Sequence, residues 1–124
     1  MSKLVLIVED SESCAETLQI AIEAAAGLEA QVVESPSAAL KVARGGGREV
    51  AAVVTDLHLR QSDGLALIRQ MRAAPELARI PILLISGDTD PMLPERALSQ
   101  GADAFFSKPY SPAAVRRKLE ELLL

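Results

Sequence analysis

Tryptophan is absent from this chain, and one tyrosine with two phenylalanines brings the aromatic share to only 2%. Platforms for stacking nucleobases are therefore missing. A single cysteine, Cys14, excludes an intrachain disulfide and points to a reducing compartment, the cytoplasm. No basic residue neighbours Cys14, which reads as a small apolar residue packed on a helix rather than a reactive thiol. There is no basic excess: 13 Lys and Arg stand against 17 Asp and Glu, for a net charge of -4. Direct nucleic-acid binding would need a clustered basic footprint. The one basic run, Arg116 to Lys118, leads straight to Glu120 and Glu121, as on a solvated helix face. Long apolar runs are also missing. The N-terminal "LVLIV" is too short for a signal peptide or a membrane span. What remains is an ordinary globular balance, 49% apolar and 24% charged over 124 residues, which suits one domain over 1–124.

Short apolar runs alternate with helical patterns. The runs are "LVLIV" (4–8), "QVV" (31–33), "AAVVT" (51–55), "PILLIS" (81–86) and "AFFS" (104–107). Three of them are nearly continuous, as in strands covered on both faces. Helix signals lie between them. Ser13 and Glu16 have capping-box spacing, with Gly27 as the helix stop. Ser35-Pro36 and Ser111-Pro112 each place a cap residue before a proline at the first helical position. Leu65, Ile68 and Met71 share a helix face that should stop before Pro75. A short helix is expected from Met92 or Pro94 to Gln100, ended by Gly101, and Val115, Leu119 and Leu122 stripe the last helix. The glycine-rich "RGGGRE" (44–49) opens no helix, so it reads as a mobile turn rather than a phosphate loop. Five βα units predict an α/β domain with a parallel sheet, helices on both faces and right-handed crossovers.

The polar residues sit where the runs end. "LVLIV" ends in Glu9-Asp10, "AAVVT" in Asp56, "PILLI" in Ser86 and "AFFS" in Lys108. In a parallel sheet these ends share one edge, where open α/β sheets bind ligands. If the first and third strands are neighbours, Glu9, Asp10 and Asp56 converge. Each close carboxylate pair then costs roughly 4 kcal/mol at about 4 Å and an effective dielectric near 20. A proton on one acid relieves this, and so does a cation. Oxygen ligands at an open site favour Mg²⁺. Lys108 adds a fixed positive charge and Ser86 a hydroxyl donor, a set that suits a transferring phosphoryl group with a carboxylate nucleophile.

In order and spacing these residues resemble the receiver domain of bacterial two-component response regulators, over nearly the whole chain. "VEDS" carries the acidic pair, Asp56 stands at the phosphoacceptor place, "DG" follows at 63–64, "ISG" supplies Ser86 and "SKP" supplies Lys108. The resemblance implies a single-domain (βα)5 flavodoxin-like three-layer sandwich with strand order 2-1-3-4-5. It implies a phosphoprotein that takes a phosphoryl group onto Asp56 from a histidine kinase or histidine phosphotransfer protein. Mg²⁺ would be held by Asp10, Asp56 and the backbone carbonyl of His58, with Glu9 acting through a water. Lys108 would pair with phosphoryl oxygens, Ser86 would move to bond one of them, and Phe105 would be the switch aromatic. The fourth helix, fifth strand and last helix would form the output surface.

Three departures stand out. Arg60 occupies a place where proline is frequent in the family. Phe105 lacks a tyrosine hydroxyl. His58, two residues past Asp56, is a candidate for tuning the aspartyl-phosphate lifetime, since imidazole transfers protons readily. On this reading the chain is a switch, not an enzyme beyond its own phosphorylation and dephosphorylation. Two alternatives stay open: a Mg²⁺-dependent aspartate-nucleophile phosphohydrolase, and a degenerate receiver that only binds. A phosphohydrolase of the haloacid dehalogenase type would carry an acid at position 58. Both a free-standing receiver and the N-terminal part of a longer regulator fit the sequence.

Overall fold

Each of the five apolar runs becomes a strand of one parallel sheet in a computed structural model, which describes residues 2–45, 47–60 and 62–124. The strands are β1 (Lys3–Val8), β2 (Leu28–Val33), β3 (Val50–Asp56), β4 (Ile82–Ser86) and β5 (Ala104–Ser107). Their order is β2-β1-β3-β4-β5, the flavodoxin-like order that the resemblance implied. The helices between and after them are α1 (Glu12–Glu23), α2 (Pro36–Arg44), α3 (Gly64–Ala73), α4 (Leu93–Ser99) and α5 (Pro112–Leu123).

Alternate side chains of a strand point to opposite faces, and both faces are covered. Leu4, Leu6, Val8, Val53, Ile82 and Leu84 pack with residues of α2, α3 and α4. Val5, Ile7, Val54, Leu83 and Ile85 pack with Leu18 and Ile22 of α1 and Val115 and Leu119 of α5. This explains the unbroken apolar runs: a strand clad on both sides has no solvent face on which to place polar residues. Each fully buried aliphatic side chain contributes about 1.5–3 kcal/mol. The edge strand β2 alternates instead, with Glu29 and Gln31 turned to solvent. That exposure hid its first half from a search for apolar runs, and β2 begins at Leu28 rather than at 31.

The caps place the helices. Ser35 Oγ accepts from Ala38 N–H at 3.1 Å and Ser111 Oγ from Ala114 N–H at 3.3 Å, as the Ser-Pro pairs predicted. The Ser13–Glu16 capping box does not form. α1 starts two residues earlier, with Ser11 at the cap position and Ser13 already inside the first turn. Glu9 is the reason: its Oε2 accepts the N–H groups of Asp10 and Ser11 at 3.0 and 3.2 Å, which fixes the chain entering the helix. Gly27 does not close α1 either. The helix stops at Glu23, and Gly27, at φ 92°, turns the chain into β2. On α5, Leu122 is exposed and Leu123 packs against the core instead, because the buried stripe advances by four residues at each step. The expected glycine-rich turn includes Gly46, which lies outside the described residues.

One small feature carried no sequence signal. After β3, His58–Leu59 pairs antiparallel with Ser62–Asp63 and folds the loop back toward α3. Asp63 then caps α3, its Oδ1 accepting from Ala66 N–H at 2.7 Å. At Gly64 a Cβ would stand 2.5 Å from the Asp56 carbonyl oxygen and 2.8 Å from a Leu84 methyl. The "DG" pair thus lets α3 begin directly against the end of β3.

Candidate functional site

β1 and β3 are neighbours in the sheet, with Val8 paired to Thr55. Glu9 and Asp56 consequently leave the sheet side by side. Both are buried, at 5% and 6% exposure. β5 lies on the other side of β4, and the residue after it, Lys108, reaches back across. Its backbone N–H donates to the Ser86 carbonyl at 2.8 Å. Its ammonium donates to Asp56 Oδ2 at 2.6 Å and stands 3.9 Å from Glu9 Oε1. The other oxygen of Asp56, Oδ1, accepts the His58 N–H at 3.1 Å. Both carboxylate oxygens of Asp56 are therefore oriented, one by a cation and one by the loop that follows it.

The electrostatics follow from this packing. Burial pushes the Glu9 carboxyl up from 4.5 to about 7. The Ser11 N–H bond opposes that rise, the adjacent Asp56 charge and contact add to it, and Lys108 opposes it. Lys108 is pulled downward by burial, yet its bond to Asp56 and the charges of Asp56 and Glu9 outweigh this and raise it overall. Tyr110, half-buried close by, is pushed up to about 12, mainly by burial.

The remaining expected residues lie around this pair. Asp10 is only partly buried, and its Oδ2 accepts the Arg60 N–H at 3.0 Å. Ser86 is fully buried and ends β4, its Oγ accepting the Asp88 N–H at 2.9 Å. The His58 side chain is 69% exposed, with Nε2 3.5 Å from Asp88 Oδ2. Phe105 is half-buried on β5, paired with Leu84 and packed on the core face that holds α2, α3 and α4. Asp88 was not anticipated. It lies two residues past the strand end that identified Ser86, so the same edge argument extended by two positions would have found it. Its carboxyl is held below the ordinary range, chiefly by the Asp90 N–H and then by His58.

The donor set suits a hard divalent cation. It is all oxygen, and Glu9 and Asp56 repel each other enough to contribute to the raised Glu9 carboxyl, a strain that a cation relieves. Among the described residues, however, no three acidic side chains are drawn together as a ready cation cage. Lys108 lies on Asp56, and the Arg60 N–H holds Asp10.

Comparison with known proteins gives the same picture. Two-component response regulator ORR3 of rice (Oryza sativa) is 30% identical over 77 residues, which cover 62% of this chain and 59% of that protein. A solved putative response regulator from Chloroflexus aurantiacus superposes with a TM-score of 0.89 at 25% identity, covering 99% of this chain and 98% of that one. A receiver domain of a histidine kinase from Syntrophus aciditrophicus superposes at 0.86 and 30% identity, covering 98% and 90%. The chain spans between 36% and 61% of the lengths of the rice regulators it matches. No helix among the described residues is long and apolar enough to cross a membrane. Receiver domains are phosphorylated and generally Mg²⁺-dependent. The family profile, response regulator receiver domain, matches residues 5–120, and the chain belongs to that family.

Proposed function

We propose that this chain is a phosphoacceptor switch whose nucleophile is Asp56, and that residues 1–124 form one receiver domain. The observation that carries this reading is the contact of 2.6 Å between Lys108 Nζ and the buried Asp56 Oδ2. It orients the acid and places a cation where phosphoryl charge would arrive. In the transfer, an Asp56 carboxylate oxygen attacks phosphorus and forms a P–O bond. The P–N bond of a phosphohistidine, or the P–O bond of a small acyl phosphate, breaks in line and its electrons leave with the donor. Lys108 then shifts from the carboxylate to a phosphoryl oxygen. Ser86 gives up the Asp88 N–H and turns its hydroxyl to another phosphoryl oxygen.

Asp10, Asp56 and the His58 carbonyl would hold Mg²⁺, with Glu9 acting through water. When bound, the ion neutralises phosphoryl charge. Phe105 would report the Ser86 movement to a surface formed by α4, β5 and α5, readable only as packing because it has no hydroxyl. The donor would be a histidine kinase or histidine phosphotransfer protein in the cytoplasm, and the receiver would turn over no substrate other than its own phosphate.

Beryllofluoride with Mg²⁺ tests the reading. Wild type is expected to show amide shifts around Asp56, Ser86 and Phe105, and Asp56→Asn none. Equal responses from both proteins would remove Asp56 from the role.

A further inference from the structure

Two cations face the acid cluster, and the proposed phosphoryl chemistry accounts for only one. Lys108 serves Asp56 and Glu9. The second is Arg60, whose Nε lies 3.8 Å from Asp10 Oδ2 while its own backbone N–H donates to the same oxygen at 3.0 Å. Asp10 is thus held twice by one residue, once by a fixed backbone dipole and once by the guanidinium charge. The Arg60 side chain is 81% exposed and that of Asp10 is 22% exposed, so the guanidinium sits at the solvent mouth of the cluster. A divalent ion arriving at Asp10 meets this charge at short range. It either displaces the guanidinium or shares the carboxylate with it, and both weaken its binding.

We propose that Arg60 is a built-in competitor for the divalent cation at Asp10, raising the Mg²⁺ concentration at which the site fills. The inference rests on the reading that Asp10 and Asp56 hold the metal. In the metal-free form Asp10 already has a positive partner, which an arriving Mg²⁺ must displace or share. Phosphorylation of this chain would then reach half its full extent at a higher Mg²⁺ concentration than that of a receiver with an uncharged residue at this place.

The test is Mg²⁺ binding to the whole chain without any phosphodonor, read by calorimetry or amide shifts. Arg60→Gln keeps the backbone N–H and removes the charge. An exposed ion pair of this kind predicts about two- to five-fold tighter Mg²⁺ binding in that variant. Arg60→Lys keeps the charge and should stay near wild type. Arg48→Gln removes a guanidinium that pairs with Glu29 and Ser2 near the start of the sheet, and should leave Mg²⁺ affinity unchanged. The gain in Arg60→Gln should shrink as salt rises, because the effect is a screened charge. Unchanged or weaker binding in Arg60→Gln overturns the proposal, the weaker result meaning that Arg60 prepares Asp10 for the metal. An equal gain in Arg48→Gln also overturns it, by reducing the effect to net charge. If no protein in the series binds Mg²⁺, the metal reading of Asp10 itself falls.

Discussion

Replacing Glu9 with glutamine should stabilise the metal-free protein, and only above a definite pH. Glu9 is buried beside Asp56, and its carboxyl stands at about 7 against an ordinary 4.5. A carboxyl with a higher value in the folded state holds its proton more tightly there than in the unfolded chain. The stability contributed by that proton is complete below about 4.5 and is lost as the pH rises through about 7. At about 1.4 kcal/mol per pH unit, the loss amounts to about 3 kcal/mol. Glutamine matches the protonated acid in shape, and its carbonyl oxygen can still accept the Asp10 and Ser11 N–H groups. In EDTA, wild type and Glu9→Gln should therefore unfold at similar urea concentrations near about pH 4, and the variant should lead by about 3 kcal/mol near about pH 8. At a urea slope of about 1–3 kcal/mol/M this is a midpoint shift of about 1 M or more. The comparison reads Glu9 together with its interactions with Asp56 and Lys108, because every more distant titrating group is common to both proteins. A constant difference between the two across this range would refute the reasoning. So would a variant that is less stable at high pH.

Other substitutions probe the surrounding parts. Gly64→Ala forces a methyl against the Asp56 backbone carbonyl and should cost about 1–3 kcal/mol of urea stability, and it should slow phosphoryl uptake because it shifts the backbone that carries the nucleophilic carboxylate. Asp88→Ala frees the loop whose N–H holds Ser86 Oγ, so hydrogen exchange at the residue 88 amide should speed up several-fold in the unphosphorylated protein; unchanged exchange would deny the side chain any part in holding that loop. His58→Ala should change the lifetime of the aspartyl phosphate, followed by phosphate release, and an unaltered rate would reduce His58 to its backbone contacts.

Glu9, Asp56, Ser86 and Lys108 were legible in the sequence because each directly follows or ends an apolar run, and parallel strands bring such ends to one edge. The strand order 2-1-3-4-5, and with it the neighbouring of β1 and β3, had to be supplied by resemblance, since strand order leaves no local trace. Arg60 and Gly64 stood out in the sequence without their contacts being legible, and Asp88 lies just past the strand end that marks Ser86. What they do depends on contacts with residues 50, 30 and 8 positions away, or on a backbone approach that shows only in the folded loop. The start of α1 was misplaced because Ser11 and Ser13 both suit a cap. The choice was made by Glu9, whose carboxylate takes two N–H groups at the entry to the helix. The last turn of α5 shows the same limit on the apolar side: Leu122 and Leu123 fit the stripe equally well, and packing against the neighbouring core selects Leu123.

The most direct measurement is the intact mass of the protein after incubation with acetyl phosphate and Mg²⁺. Wild type should gain a single phosphoryl group, lose it on standing, and gain none when Asp56 is replaced by asparagine. Equal uptake by Asp56→Asn, or no uptake by wild type, would contradict the assignment of Asp56 as the phosphoacceptor.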